Sequence, residues 1–333
     1  MIVLDDMAIP ADQRAALASG SIVVMADQPV IAVEGPGAAD CLQGVLTNDV
    51  DAFGERAFFY GAVLTPKGMI QSDLWTARES SNRLELYPAP EGLEPLTEVL
   101  RRFFPPRLAK TTDVTARRAV LRISGPDAIG LVRRAGFDVP AAGAVSQSAS
   151  TEWDILIGHP PLGIPFTLQM AVATEHAAQV QQRLEDAGAV PAGPPILDLV
   201  RVLQGWPRLG TEINDKTLPQ EVRMDELEGV SYTKGCYTGQ ETVARVHFRG
   251  HANKRLVGLL WDEEPDTASD EIAHADKPMG RVTTIAWANE GLGYVGLGIL
   301  RSKVPVGERV RAANADAVVA DFPLTQYSGS LVG

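Results

Sequence analysis

Lys234, Gly235, Cys236, Tyr237, Thr238, Gly239, Gln240 and Glu241 follow one another, gathering an ammonium, a thiol, a phenol and a carboxylate around two glycines. Closely spaced glycines mark a backbone that turns sharply or approaches another group closely. The thiolate is the reactive form of cysteine, and a thiol with an ordinary pKa of about 8.5 ionises more readily beside a cation or at a helix N-terminus. Lys234 offers the cation. The run from Gln240 to His247, with Glu241 early in it, reads as a helix whose first amides point back at Cys236. Residue types alone leave two outcomes open: a reactive Cys236 activated by Lys234, or a small buried hydrophobe beside a solvated lysine.

Other side chains able to meet a ligand lie outside this octet. Asn48 and Asp49 follow a short helix that ends at Gly44. They form either an Asx-turn or a loop that offers the Asp49 carboxylate to an amine or heterocycle. Arg201 stands among the apolar positions 196, 197, 199, 200 and 203 of an amphipathic helix from Ile196 to Gln204. A guanidinium there needs an anion, either Asp198 or a ligand carboxylate. The irregular segments 205–215 and 218–221, the second holding Glu221, read as lining a site. From Tyr232 to Arg255 the charge turns locally basic through Lys234, Arg245, Arg249, Lys254 and Arg255, with His247 and His251. Such a run is a solvated face, a seat for a polycarboxylate, or a weaker candidate for nucleic acid. The two histidines lack a third ligand for zinc.

These side chains need elements to hold them. Val30 to Ala39 and Val120 to Ile129 repeat one pattern, a β-branched run closing on Gly-Pro before a helical segment. Strands at 57–64, 69–76 and 83–87 and a helix from Leu93 to Phe103 follow the first copy. Strands at 154–157 and 166–173 and a helix from Glu175 to Ala187 follow the second. Two βαββαβ, ferredoxin-like halves are therefore expected. Apolar runs at 256–261, 281–286, 292–299, 306–311 and 317–322 predict a small antiparallel barrel, with Asp262 to Asp276 an exposed acidic loop. The expected fold is α+β, in segments 1–118, 119–254 and 255–333.

The 333 residues, 45% apolar and 22% charged, suit a folded chain of two or three domains. A net charge of −12 opposes non-specific attraction to nucleic acid or anionic membranes. Two cysteines, Cys41 and Cys236, provide neither a disulfide framework nor the four thiolates of an iron–sulfur cluster, so no metal site is expected. Residues 1–14 carry no basic stretch followed by an apolar core, and no apolar run is long enough to span a bilayer. A cytoplasmic location without membrane or nucleic-acid partners is the expectation.

Cys41 to Val50, Gly61 to Ile70, Leu199 to Ile213, Pro219-Gln220-Glu221 and the cysteine-centred octet together resemble the YgfZ family of folate-binding proteins, relatives of the glycine-cleavage T protein, an aminomethyltransferase. The resemblance implies a three-domain, ring-like fold with a central channel for tetrahydrofolate or a one-carbon derivative. It also implies a role in synthesis or repair of iron–sulfur enzymes, with those enzymes or their assembly proteins as partners. On it, Cys236, Lys234 and Asp49 carry any chemistry, while Asn48, Asp49, Arg201, Glu221, Tyr237, Gln240 and Arg245 face the folate. The T protein's Gly-Tyr-Thr-Gly-Glu segment corresponds to Ile157 to Gly163, which holds no carboxylate. That departure weakens the alternative function of a folate-dependent aminomethyl transferase. A scaffold without ligand or chemistry is the third hypothesis.

Overall fold

The computed structural model describes residues 1–4, 6–148, 153–250 and 252–328. After β1 (Ile2–Leu4), α1 (Ala11–Ser19) and β2 (Ile22–Ala26) comes the first half: β3 (Ile31–Glu34), α2 (Ala38–Gln43), β4 (Ala57–Leu64), β5 (Ile70–Ser80), β6 (Arg83–Pro88), α3 (Leu93–Phe103) and β7 (Lys110–Asp113). Its five strands pair in the order β4-β5-β6-β3-β7, all antiparallel. Helix α3 places Leu96 and Leu100 in the core beneath this sheet, each burial worth about 2 kcal/mol.

The second half runs through β8 (Arg118–Ser124), α4 (Ala128–Arg134), β9 (Val145–Gln147), β10 (Ile155–Gly158), β11 (Leu168–Ala173), α5 (Ala177–Asp186) and β12 (Val190–Pro191). Its sheet order is β12-β2-β8-β11-β10-β9. In the first half β7 flanks the Gly-Pro strand β3, and in the second β2, drawn from near the N-terminus, takes the same place beside β8. Each half therefore carries more strands than the expected βαββαβ pattern. Residues 22–26 serve the second half although they precede the first. An isolated apolar run such as Ile22-Val23-Val24-Met25-Ala26 reads as a strand but does not name a partner about a hundred residues away.

The repeat extends to backbone detail. Gly35 and Gly125 both adopt positive φ, at 144° and 123°. A Cβ on Gly35 would stand 2.3 Å from the Leu108 carbonyl oxygen, and one on Gly125 would stand 2.4 Å from that of Gly20. Each glycine is thus the point where its half brings the strand's end against a neighbouring chain segment.

Helices α6 (Pro195–Gln204) and α7 (Gln240–Arg249) follow, joined by a long irregular segment. The C-terminal strands are β13 (Lys254–Trp261), β14 (Glu271–His274), β15 (Lys277–Asn289), β16 (Gly293–Arg301), β17 (Arg309–Ala312) and β18 (Ala315–Ala320). They close as β15-β14-β17-β18-β13-β16 and back to β15, an antiparallel six-stranded barrel, with β1 added in parallel on β15. The acidic stretch 262–276 is not all loop: Ile272 is fully buried and pulls β14 into the barrel. The largest core cluster draws residues from both halves, α6 and the barrel.

Gly125→Ala is expected to cost about 2–4 kcal/mol, combining the positive-φ strain with the clash on Gly20. Gly235→Ala, whose added methyl meets nothing within 4 Å, is expected to stay within about 0.5 kcal/mol. Urea unfolding of the two variants checks both.

Candidate functional site

A cavity of about 490 Å³ opens between the two halves and α6. One wall is aromatic. On β4, β5 and β6 the residues Tyr60, Trp75 and Tyr87 stand opposite one another in register, on one face of three adjacent strands; Trp75 and Tyr87 line the cavity, and Tyr60 lines a narrow cleft beside it. Trp206, from the segment after α6, stacks on Trp75 at 5.4 Å and 17°, and Phe166 closes the row at 5.2 Å from Trp75. Trp206, Pro207, Arg208 and Leu209 line the cavity, as expected of the irregular segment after α6. A narrow cleft of about 10 Å³ shares Trp75 and Trp206 with it and reaches Leu227 and Glu228.

Two charged groups face this cavity without closing on each other. Asp73 lies two residues before Trp75 on β5 and so shares its face. It is 7% exposed; one carboxylate oxygen accepts from the Tyr60 hydroxyl at 2.8 Å, and Oδ1 has no partner among the described residues. Burial raises its pKa to about 6, against the lowering effect of the Tyr60 hydrogen bond. Arg122, on β8, donates through Nη2 to Gln28 Oε1 at 2.6 Å and lies 4.6 Å over the Phe166 ring. Its Nε is buried with no partner among the described residues, and desolvation brings its pKa down to about 10 while the Asp73 charge pulls it upward.

Sequence reasoning singled out neither group. The available signal for Asp73 was a carboxylate alternating with Trp75 and Ala77 on one face of its strand, which is costly unless the site uses it. Arg122, lying within the repeated β-branched run, carried the same kind of signal.

Arg201 does line the cavity, but its guanidinium is committed. Nε meets Asp198 Oδ1 at 2.7 Å, Nη1 meets Glu212 Oε2 at 3.0 Å, and Nη2 donates to the Thr284 hydroxyl at 2.9 Å. Structural pairing, not a ligand carboxylate, answers its need for an anion. Glu221 lies away from the cavity walls; it accepts from the Leu218 amide at 3.1 Å and pairs with Lys254 at 3.5 Å. Asp49 is a turn residue, accepting from the Gln43 side chain at 2.9 Å and from the amides of Asp51 and Ala52 at 3.2 Å. Burial acts to raise its pKa, but these hydrogen bonds and the Lys234 charge hold it below the usual carboxylate range.

The octet gathers Asn48, Lys234, Tyr237 and Gln240 at a joint with the first half rather than at the cavity. Lys234 is buried, and Nζ donates to the carbonyls of Gln43, Leu46 and Asn48 at 2.7, 2.7 and 2.8 Å. Burial lowers its pKa to about 8, against the upward pull of Asp49 and Asp51. All three ammonium protons are used on the end of α2 and the turn beyond it, so Lys234 is a latch and not an activator of Cys236. Asn48 is buried and donates to the carbonyls of Tyr60 at 2.8 Å and Glu228 at 2.6 Å. Tyr237 is buried with its ring 5.1 Å from Lys234 Nζ, and its hydroxyl has no partner among the described residues. Gln240 Nε2 reaches the carbonyls of Lys234 and Gly235 at 3.5 Å. Gly239, at φ 84°, lets the backbone sit against the Thr65 carbonyl and so begin α7.

Cys236 is exposed and is not one of the cavity's lining residues. The basic run is dispersed rather than one face. Arg245 and Arg249 are exposed on α7, Lys254 pairs with Glu221, Arg255 donates to the Val304 carbonyl, and His247 stacks on Tyr232 at 3.6 Å. His251 lies outside the described residues. Among the described residues no group of three or more His, Cys, Asp or Glu is placed to hold a metal ion, and no helix is long and apolar enough to cross a membrane.

Lys234→Met, by leaving three carbonyls without a donor, is expected to destabilise the protein by about 2–4 kcal/mol in denaturant titrations. In the native protein Cys236 should react with a disulfide reagent far faster than Cys41, which is half-buried and whose pKa burial raises. Equal rates for the two thiols would contradict the exposure of Cys236.

Comparison with known proteins sets this geometry in a family context. The model of the GCVT N-terminal domain matches residues 7–149. The tRNA-modifying protein YgfZ of Colwellia psychrerythraea is 26% identical over 253 residues, covering 75% of each chain. That of Yersinia pseudotuberculosis is 28% identical over 249 residues, 72% of this chain and 70% of the relative. In fold, the chain matches the glycine cleavage system aminomethyltransferase T from Bartonella henselae with a TM-score of 0.79 and 18% identity, over 94% of this chain and 88% of the other.

Proposed function

We propose that this chain, of YgfZ type and related to the glycine-cleavage T protein, binds tetrahydrofolate or a one-carbon derivative in its central cavity and serves the synthesis or repair of iron–sulfur enzymes. The observation that carries the proposal is Asp73, a buried carboxylate with one oxygen unpartnered in a box of aromatic rings. The amino-pyrimidinone ring of a reduced pterin is flat and presents ring N–H and amino donors along its edge. Stacking on Trp75 or Trp206 and donation to Asp73 would satisfy both features. At about 490 Å³ the cavity falls in the range of small-molecule sites.

Cys236, exposed beyond the cavity, is positioned for a macromolecule rather than for the folate. In this proposal it meets the client enzyme, held in place by the Lys234 latch and without activation from it. The YgfZ relatives are described as tRNA-modifying. A net charge of −12 and a dispersed basic run favour support of an enzyme that acts on tRNA over direct tRNA binding.

One observation favours a second function, one-carbon transfer of the T type. A carboxyl group brought to about 6 by burial can accept and return a proton near neutral pH. Release of ammonia and methylene-folate from an aminomethyl donor by the purified protein would establish it.

Titration calorimetry should detect tetrahydrofolate binding that Asp73→Asn weakens about 10- to 100-fold. Affinity should rise with pH through about 6 as Asp73 ionises, and the variant should lose that dependence. The linked stability runs the other way. Because the folded pKa lies above the ordinary value of 3.8, Asp73 favours the fold below about 4 and that contribution is lost as pH rises through 6. Unliganded Asp73→Asn should therefore match or exceed the parent in stability at neutral pH. Neither heat nor thermal stabilisation at millimolar folate would remove the ligand, and a Cys236→Ser protein that sustains iron–sulfur enzyme activity in cells as well as the parent would remove the thiol's role.

A further inference from the structure

Arg122 differs from Arg118 and Arg201 in what it lacks. Arg118 meets Glu85 at 3.0 Å and Arg201 meets Glu212 at 3.0 Å, so each buried charge has its counter-ion. Arg122 forms no ion pair among the described residues. Its hydrogen-bond partner is the neutral Gln28, its face covers Phe166, and Nε is left buried and unpartnered beside the cavity. Gln28 is itself fixed, donating through Nε2 to the carbonyls of Pro29 and Pro88, which turns its own carbonyl toward Arg122. The guanidinium is held in one orientation by a stacked ring and a pinned amide.

A guanidinium whose Nε is buried without a partner is costly, and the fold spends two side chains to keep it aimed. Across the cavity Asp73 Oδ1 is also unpartnered, yet the two groups do not close into an ion pair. An unpartnered acceptor on β5 and an unpartnered donor on β8, from two residues that both line the cavity, define the polarity of what fits between them: a flat molecule with N–H donors on one side and an acceptor oxygen on the other. We infer that Arg122 is a specificity residue that receives an acceptor oxygen of the bound ligand, a ring carbonyl or a carboxylate, opposite the donors taken by Asp73. The inference rests on the folate proposal for the ligand's identity, while the required polarity follows from the two open groups.

Arg122→Met and Arg122→Gln test it with three probes: 5-formyltetrahydrofolate, its pteroate primary amide (hereafter the pteroate), which has lost the glutamate and carries no carboxylate, and its 2,4-diamino counterpart without the ring oxo group. Both substitutions should weaken 5-formyltetrahydrofolate about tenfold or more by calorimetry. If the oxygen is the ring carbonyl, the pteroate loses as much, and the 2,4-diamino compound, already weak on the parent, loses nothing further. If it is the tail carboxylate, the pteroate is insensitive and the 2,4-diamino compound loses as much as the parent ligand. Either pattern places Arg122 on the ligand, whereas parental affinity of both variants for all three overturns the inference.

Melting of the unliganded proteins separates this from the folate proposal. A guanidinium kept for a ligand is dispensable without one, so Arg122→Met should melt no lower than the parent. Should the parent bind none of the probes, the folate proposal falls by itself. Arg122 is then judged on melting: a drop of several degrees in Arg122→Met makes it a structural strut and ends the inference, and an unchanged or higher value upholds a site of the stated polarity for another ligand.

Discussion

The buried contact between Arg201 and Glu212 is the joint on which the site depends. Arg201 leaves α6 on its apolar side, and Glu212, only 1% exposed, comes from the irregular segment that follows. Two charges taken out of water cost more than their attraction returns unless every remaining donor and acceptor is satisfied. Here they are: Asp198 and Thr284 take the other guanidinium nitrogens, and Glu212 accepts from the Thr284 hydroxyl and the Arg208 amide, both at 2.9 Å. Removal of either partner alone would leave an uncompensated charge at a cost of about 3–5 kcal/mol. Because Thr284 belongs to the barrel, the network ties α6, the segment 206–212 and the barrel into one body. That segment supplies Trp206 to Leu209 to the cavity wall, so the cavity's shape follows from the joint.

A closed network and an open one therefore stand side by side. Arg201 uses all its nitrogens on protein and holds geometry, whereas Asp73 and Arg122 each keep one buried atom free and hold chemistry. The distinction explains why a single type of residue, arginine at an apolar wall, has opposite meanings in one site. Burial without a counter-ion shifts Arg122 downward and Asp73 upward, the pattern of groups kept for something other than stability.

Much of the fold was legible because periodicity is local. The helix over Leu93–Phe103, the strand over Ala57–Leu64 and the C-terminal barrel strands all follow from apolar spacing. What escaped was non-local: β2 joins a sheet whose other strands lie about a hundred residues on, and Ile272 draws a strand out of an acidic stretch. The site was legible in reverse. Residues with conspicuous chemistry on loops, Asp49 and Glu221, proved to be turn and cap residues, since short polar side chains satisfy their own backbone first. Asp73 was hidden by its surroundings, because a carboxylate in a strand that also carries Gln71, Ser72, Thr76 and Arg78 stands out only once its face is known to meet a cavity.

Cys236 and the cavity are separate in space but not in structure. Lys234 Nζ donates to the Asn48 carbonyl, the Asn48 amide donates to the Tyr60 carbonyl, and the Tyr60 hydroxyl donates to Asp73. The octet is thus bonded, through one buried lysine and one buried asparagine, to the strand that carries the cavity's carboxylate. Satisfied hydrogen bonds at each step leave little slack, since breaking any of them strands a buried donor or acceptor. The same bonds explain why a lysine belongs next to the exposed cysteine although its charge points away from it. A shorter side chain could not reach all three carbonyls at the end of α2 and in the turn beyond it, and the loop that presents the thiol would lose the buried latch that its other contacts, through Ser231, Tyr237 and Gln240, do not replace.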